Sequence, residues 1–219
     1  SVGLDCAIQS GIRGALGHCG VLLVSILSVW HLALDDAAIT PVVLRRMLLA
    51  TPSALKAAHA QGSATDAMLR EACSELKGLG DTLPEVPQEL SAFCAAAQFG
   101  LVEAAGSSST AIDAGAAVVA LMFSALDAAC RDDLGMLESL AAMLAELAGH
   151  GSNRVRPHAP TPDRAFTVDV ILQGTLDDVD AQRRQLDALG ARYSWAGHAD
   201  LFGLGEWRFH IDTAAPLSV

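Results

Sequence analysis

The chain has 219 residues, enough for one large domain or for a medium-sized domain followed by a small one. Its formal net charge of −11 repels phosphate backbones, and no basic or basic–aromatic run is present, which excludes nucleic-acid binding. Hydrophobic residues make up 52% of the chain but aromatic residues only 5%, which favours closely packed helices rich in Ala, Leu, Val and Met.

The five cysteines are scattered without a CxxC pair, a pattern typical of proteins in a reducing compartment, so a cytoplasmic location is predicted. No signal-peptide pattern is recognisable at the start. The most apolar stretch, residues 21–34, contains two serines and His31 and is too short to cross a bilayer comfortably. We therefore expect no membrane span, and we expect His31 to be a core histidine whose hydrogen bonds are satisfied.

Residues 1–148 show apolar residues at three- and four-residue intervals, which predicts successive helices. Thr40 and Thr51 each precede a proline and are predicted helix caps, and Asp132-Asp133 provides carboxylates at a helix start. The predicted helices are about 3–14, 18–34, 40–50, 52–60, 64–78, 87–105, 112–130 and 133–148.

The segment 149–164 is rich in Pro, Gly and Arg and is predicted to be a linker. After it, residues 166–172 alternate as a strand does, 176–189 reads as a helix ending at Gly190, and two further strands follow near 191–196 and 206–212. The fold class is therefore mainly α: a helical domain (1–148) followed by a small β-α-β-β domain of the α+β class (165–219).

Three stretches combine glycine or small polar residues with the starts of apolar helices. The first is 14–21, where backbone N–H groups at a helix N-terminus offer a site for an anion, although close helix packing is the favoured interpretation of this stretch taken alone. In the second, 62–66, an ordinary helix cap is the simpler interpretation. In the third, 112–116, Asp113 is expected to cap a very apolar helix rather than to bind a metal.

These three stretches in this order resemble the L-type domain of the dihydroxyacetone kinase family. The line 10–27, SGIRGALGHCGVLLVSIL, is similar to the glycine-rich line of that family, and 62–72 and 112–116 resemble its two later motifs. Residues 168–174 with the following helix, and then 208–216, RFHIDTAAP, resemble the middle domain of the fatty acid kinase A subunit. The resemblance therefore extends over nearly the whole chain.

The resemblance implies an antiparallel eight-helix barrel that binds ATP and Mg²⁺ and transfers the γ-phosphoryl group to a small hydroxyl or acyl substrate. At the positions that match the family's motifs, the resemblance implies contact with the nucleotide. It does not identify a catalytic residue. The positions implied to bind the cofactor are Gly17, His18, Cys19, Gly20, Gly62, Ser63, Asp113, Ala114 and Gly115.

The sequence also departs from the family pattern. The aspartate loop that holds Mg²⁺ in the family has no counterpart here, and His18-Cys19 replaces Asn-Ser. In the middle domain the family places a Cys and two His as a metal-binding set, where this chain has Thr167, His210 and Asp212. His210 and Asp212 alternate onto one strand face but form a poor metal site alone, so a structural or hydrogen-bonding role is expected for His210 and no metal site is predicted.

Two hypotheses follow. The first is a phosphotransferase related to the dihydroxyacetone and fatty acid kinases. The second is a non-catalytic relative that docks a lipid-binding protein subunit or forms a homodimer, for which the apolar turn 202–205 offers an exposed patch. A helical interaction protein with only chance resemblance is the third alternative.

Overall fold

The structure is a computed structural model that describes residues 2–15, 17–34, 38–58, 63–78, 85–107, 112–151 and 166–219. The described part is mainly helical and carries a small antiparallel sheet, in agreement with the predicted fold class. Its helices are α1 (Val2–Gly14), α2 (Gly17–Ala33), α3 (Pro41–Ala50), α4 (Ala54–Ala57), α5 (Ala64–Gly78), α6 (Val86–Ser107), α7 (Ala114–Arg131), α8 (Gly135–Gly151) and α9 (Leu176–Ala188). Its strands are β1 (Phe166–Gly174), β2 (Arg192–Ala199) and β3 (Gly205–Thr213).

Helix starts follow the local signals at most positions. The Thr40 hydroxyl accepts from the amide of Val43, and Pro41 occupies the first helical position, as predicted. The prediction at Thr51 is wrong: its buried hydroxyl donates to the carbonyl of Met47, and a 3₁₀ turn over Thr51–Ser53 follows directly on α3. A threonine that bonds back to the preceding turn continues the helical path rather than starting a new helix.

The sheet has the strand order β1-β3-β2, so the last strand in the sequence is the central one. Both neighbours run antiparallel to β3; in this register Asp169 and Ser194 both lie opposite His210. Because side chains alternate along a strand, Arg208, His210 and Asp212 share one face of the sheet.

Helices cover both faces of this sheet. On one face, α9 packs on a cluster of buried residues: Val179, Leu186, Tyr193, Trp207, Phe209 and Ile211. On the other face, residues of α1 and α2 pack around Ala196 of β2: Ile8, Ile12, Val21 and Val24. The sheet is thus the middle layer of three.

Two glycines allow α1 and α2 to approach closely. A Cβ on Gly20 would lie 2.9 Å from the Cβ of Ala15 and 3.1 Å from its Cα, and a Cβ on Gly11 would lie 2.7 Å from a methyl group of Val24. Gly17 has a φ of +70°, a backbone conformation that favours glycine at the turn between the helices. Close packing therefore accounts for Gly20, and the conformation of the turn accounts for Gly17.

The chain divides into two compact units. The sheet unit contains residues 1–32, 53–59 and 156–219, and the helical unit contains 33–52 and 60–155. The predicted boundaries differ, because α1 and α2 belong with the sheet instead of with the later helices: α9 covers one face of the sheet, and α1 and α2 cover the other, where Arg208 donates to carbonyls at the end of α1. Of the predicted linker, residues 149–151 end α8 and the rest lies outside the described residues. The eight-helix barrel stays a prediction.

In the helical unit, α6 packs against α3, α5 and α7. The rings of Phe93 and Phe123 meet edge to face at 4.8 Å between centroids. The buried carboxylate of Glu89 lies 2.7 Å from Nε of Arg45, and that of Asp127 accepts from Ser91 and lies 2.9 Å from Arg131. Each buried carboxylate here thus has a fixed partner.

Among the described helices, α7 is the one with the length and composition to cross a membrane. Core helices pass the same test, and α7 carries the buried Asp127 and packs its Phe123 against α6. These contacts are consistent with the prediction of no membrane span.

Candidate metal centre

Two imidazoles and a carboxylate meet on the face of the sheet that α1 and α2 cover. His18 lies in the first turn of α2, and His210 and Asp212 lie two residues apart on the central strand. Each of the three offers a ligand atom within 4.8 Å of the other two. We call these three residues the His18 cluster.

His18 is held at both ring nitrogens. Its Nδ1 lies 2.8 Å from Oγ of Ser194 on β2, and its Nε2 lies 3.2 Å from Oδ2 of Asp212. The ring of His210 meets it edge on, with 4.4 Å between centroids and an interplanar angle of 85°. The ring is therefore fixed from three directions.

A second layer of hydrogen bonds orients the cluster. Nδ1 of His210 lies 3.1 Å from a carboxylate oxygen of Asp169, which also lies 3.3 Å from the guanidinium of Arg208. Arg208 is anchored in turn by donating to the carbonyls of Ile12 and Arg13, at the end of α1. Thr167 donates to the second oxygen of Asp212. Pairing of Nδ1 with a carboxylate, as in His210, is the usual outer shell of a metal-binding histidine.

The protonation states favour a bound cation. Burial lowers the pKa of His18, and the proximity of His210 lowers it further, against the opposing effect of Asp212. Burial alone would raise the pKa of Asp212, but hydrogen bonds from His18 and Thr167 outweigh it and bring that pKa below its ordinary value. At neutral pH the cluster therefore offers a neutral imidazole and an ionised carboxylate, the states in which both groups ligate metals.

The cluster is half-buried. The exposed fractions of the side chains are 33% for His18, 22% for Asp212 and 9% for His210. An ion held by these residues would be reached from solvent on the His18 side. Three protein ligands with an accessible fourth position is the arrangement of catalytic zinc sites, whereas structural sites have four protein ligands.

Ser194, His18 and Asp212 also form a Ser-His-Asp constellation in space. Ser194 is fully buried, with 0% of its surface exposed, so no substrate can reach its hydroxyl. Its hydrogen bond to Nδ1 fixes the orientation of the imidazole. The geometry therefore argues for Ser194 as an orienting group and against nucleophilic catalysis.

The residues that the family resemblance implies to contact the nucleotide belong partly to the sheet unit and partly to the helical unit. Gly17, His18, Cys19 and Gly20 form the first turn of α2 in the sheet unit, where Cys19 is half-buried and is not in a disulfide. Nδ1 of His18 faces Ser194, and its Nε2 faces Asp212. A phosphate contact by His18 stays a prediction, but in this arrangement its imidazole already has two partners.

The second and third stretches come together in the helical unit. The hydroxyl of Thr65, at the start of α5, donates to Oδ1 of Asp113, which also accepts from the amide of Ala116. Asp113 is the N-cap of α7, as predicted, and Ala114 and Gly115 are the first residues of that helix. Ser63 accepts from the amide of Asp66, in keeping with the cap interpretation. Gly62 lies outside the described residues.

The sequence analysis named His210 and Asp212 as a two-residue set and missed His18 as its third member. The expectation of no metal site rested on counting ligands along one strand; the structure adds an imidazole from a helix 194 residues away. The strand alternation of His210 and Asp212 was a usable signal, but no local pattern links either residue to α2.

Comparisons with protein-family models, with curated proteins and with solved structures find no match to this chain.

Proposed function

We propose that this protein binds a divalent transition-metal ion, Zn²⁺ being the best fit, at the His18 cluster. The observation that carries the proposal is the convergence of His18, His210 and Asp212 with an outer shell that orients both imidazoles. His210 pairs Nδ1 with Asp169, and His18 pairs Nδ1 with Ser194, so each ring presents Nε2 as the ligand atom.

One ligand-to-ligand distance of the cluster suits a tetrahedral ion, and the other two lie within 4.8 Å. Two ligand atoms that each lie about 2.0–2.2 Å from a tetrahedral Zn²⁺ are about 3.3 Å apart. The atoms Nε2 of His18 and Oδ2 of Asp212 are 3.2 Å apart. Ligation through Nε2 would require the neutral tautomer of His18 that carries its proton on Nδ1, and this N–H would donate to the hydroxyl of Ser194. Two imidazoles and one carboxylate, with no thiolate, fit Zn²⁺ or Fe²⁺ better than Cu⁺ or Ca²⁺.

The accessible side of the cluster indicates what chemistry a bound ion would supply. An ion with three protein ligands supplies a Lewis acid and an activated water at its remaining position. This chain's part is to hold the ligands, to keep His18 neutral and to leave one side of the ion accessible. We place the protein in the cytoplasm, a proposal supported by five cysteines that form no disulfide with one another.

The experiment is a Zn²⁺ titration of the full chain in competition with a chelating dye, on the wild type and on the variants His18→Gln, His210→Gln and Asp212→Ala. Each variant removes one ligand, and we expect each to weaken binding at the His18 cluster by at least about 100-fold. Thr167→Val is the matched control, because it removes a hydrogen bond to Asp212 and no ligand. We expect it to weaken binding by about 10-fold or less.

Wild-type affinity in all three folded ligand variants would reject the proposal. Equal losses in Thr167→Val and the ligand variants would point instead to general loosening of the sheet face. Substitution of Co²⁺ for Zn²⁺ adds a spectroscopic check, since nitrogen and oxygen ligands give no thiolate charge-transfer band.

The second candidate is the phosphotransferase-like function that the family resemblance implies. It is supported by the hydrogen bond from Thr65 to Asp113, which joins two of the three stretches at adjacent helix starts. Backbone amides at helix starts are suitable anion donors. Under this proposal Ser63, Asp113, Ala114 and Gly115 approach ATP·Mg²⁺ within an eight-helix barrel.

Isothermal titration with a non-hydrolysable ATP analogue, with and without Mg²⁺, tests the second candidate. Mg²⁺-dependent micromolar binding that Asp113→Ala weakens would support a nucleotide site. Absence of heat with a folded sample would reject it and favour the non-catalytic alternative, in which a lipid-binding subunit or a second copy docks on the chain.

The homodimer has one structural feature in its favour. In the β2–β3 turn the side chains of Leu201 and Phe202 are 101% and 89% exposed, beside the exposed Leu204. Analytical ultracentrifugation of the wild type and of Phe202→Ser tests this proposal. A dimer that Phe202→Ser dissociates would support it, and a wild-type monomer at high concentration would reject it.

A further inference from the structure

A second group of potential ligands lies within the sheet unit and shares no residue with the His18 cluster. It consists of Asp5 on α1, His31 near the end of α2 and His198 near the end of β2. Each offers a ligand atom within 4.8 Å of the other two. We call these residues the His31 cluster.

One carboxylate oxygen is the centre of the His31 cluster. Oδ1 of Asp5 lies 3.3 Å from Nε2 of His31 and 3.9 Å from Nε2 of His198. The two rings meet edge on, with 4.7 Å between centroids and an interplanar angle of 88°. Since ligand atoms of a tetrahedral Zn²⁺ lie about 3.3 Å apart, the first distance already fits, and the second fits after a shift of about half an ångström.

Hydrogen bonding within the protein does not account for the whole cluster. Nδ1 of His31 is buried and has no hydrogen-bond partner among the described residues. A buried polar atom without a partner is costly, and it is rare unless a water completes its surroundings. Nδ1 lies on the other side of the ring from Nε2, which faces Asp5, so such a water would be the outer partner of His31 and not the proposed ion. The expectation that His31 is a satisfied core histidine is therefore wrong: its side chain is 21% exposed, and one ring nitrogen lacks a partner.

The cluster borders a cleft of about 600 Å³. Asp5 and His198 line it together with Gln9, Arg13, Gln173 and Glu206. Arg13 and Glu206 form a two-pronged ion pair across it, with distances of 3.0 and 3.1 Å. A ligand of the ion would thus have room and polar partners on this side.

We propose that Asp5, His31 and His198 form a second site for a divalent transition-metal ion, whose open coordination position faces this cleft and takes water. The four histidines whose side chains the structure describes then divide equally between two metal sites. The argument is independent of the His18 cluster, because no residue or hydrogen bond on which it depends belongs to that cluster.

The test is Zn²⁺ stoichiometry and affinity of the full chain by dye competition, combined with histidine ¹⁵N-edited NMR of the wild type. We expect His198→Gln and Asp5→Ala each to remove one bound equivalent, with affinity at that site falling at least about 100-fold. The ring-nitrogen signals of His31 and His198 should shift on Zn²⁺ addition. His210→Gln serves as the reciprocal control, because it leaves this site intact.

The possible outcomes separate the two sites. If only the His31 cluster binds Zn²⁺, the wild type takes up one equivalent. His210→Gln then leaves that uptake unchanged, and His198→Gln abolishes it. Unchanged uptake in both His198→Gln and Asp5→Ala would overturn the proposal, as would wild-type NMR signals of His31 and His198 that Zn²⁺ does not move. The NMR measurement needs no variant, so a substitution that prevents folding does not remove the test.

Discussion

The two units of the chain deal with their buried polar groups in different ways. In the helical unit each buried carboxylate has a fixed partner, as Glu89 has Arg45 and Asp127 has Ser91 and Arg131. In the sheet unit, carboxylates and imidazoles gather in groups of three on the side of the sheet that carries α1 and α2. A carboxylate that lies against an arginine has its counter-charge, whereas two imidazoles around one carboxylate offer ring nitrogens that can ligate an ion. The comparison suggests that the helical unit uses buried charge for structure and the sheet unit uses it for binding.

The largest effect on stability should come from removing one partner of a buried ion pair in the helical unit. Glu89→Ala leaves the half-buried guanidinium of Arg45 without its carboxylate and should lower the free energy of unfolding by about 3–5 kcal/mol. Urea denaturation followed by circular dichroism measures the change. Glu103→Ala on the same helix is the control, because Glu103 is exposed, and it should be neutral within about 0.5 kcal/mol. Equal effects would mean that the pair is not a structural element.

Zn²⁺ should stabilise one unit and leave the other unchanged. At a free concentration of about 100 times the dissociation constant, binding to the folded state adds about 2.7 kcal/mol. Hydrogen exchange should therefore slow in 17–33 and 192–213 on Zn²⁺ addition, while 64–78 and 86–107 keep their rates. A chelator should reverse the change. Uniform slowing over both units would contradict the division of roles.

A smaller loss of stability is expected from a substitution at the contact between α1 and α2. A Cβ on Gly20 would meet the backbone of Ala15, which cannot move aside as a flexible side chain can, so Gly20→Ala should cost about 1–3 kcal/mol. Gly14→Ala is the matched control, because a Cβ there meets nothing within 4 Å. Thermal unfolding monitored by circular dichroism compares the two. A phosphate-binding role for Gly20 with no packing role would instead predict unchanged stability for both.

The smallest effect concerns the cap of α9. The Thr175 hydroxyl accepts from the amide of Asp178, and the carboxylate of Asp178 accepts from the amide and hydroxyl of Thr175. Thr175→Ala should cost about 1 kcal/mol. The hydrogen bonds from Thr175 lower the pKa of Asp178 below its ordinary value of 3.8.

The sign of the pH dependence follows from that lowered pKa. A carboxyl whose pKa is lower in the folded state stabilises the fold at a pH above its unfolded value, and the contribution disappears as the pH falls through the folded value. The stability difference between the wild type and Asp178→Ala should therefore be full at pH 7 and shrink below pH 3.8. A difference that grows in acid would contradict this account.

Local features of the fold were predictable because their causes are local. The predicted helix over 64–78 agrees with α5, and the predicted strand near 206–212 agrees with β3. Asp113 and Thr40 are caps because a short acceptor side chain before an apolar helix satisfies amides only a few residues away. Thr51 shows the limit of such predictions, because the same type of residue can instead donate a hydrogen bond to a carbonyl of the preceding helical turn.

The sites were not predictable, because they depend on contacts between distant segments. Nothing near His18 indicates that it meets Ser194 and Asp212, and nothing near His31 indicates that it meets His198. Both meetings require α1 and α2 to cover the sheet face that α9 leaves open. Hydrophobic periodicity predicts that a helix has an apolar face, but not which distant surface that face covers.

The position of β3 at the centre of the sheet has a consequence during synthesis. The strands β1 and β2 pair with β3 and not with each other, so the sheet cannot form until the last strand has left the ribosome. At about 5–20 residues per second, α1 and α2 wait on the order of 10–40 s for their partner surface. The residues of the helical unit are all translated before β1, so that unit can fold first. Chaperones would therefore meet a nascent chain whose exposed apolar surface lies on α1 and α2.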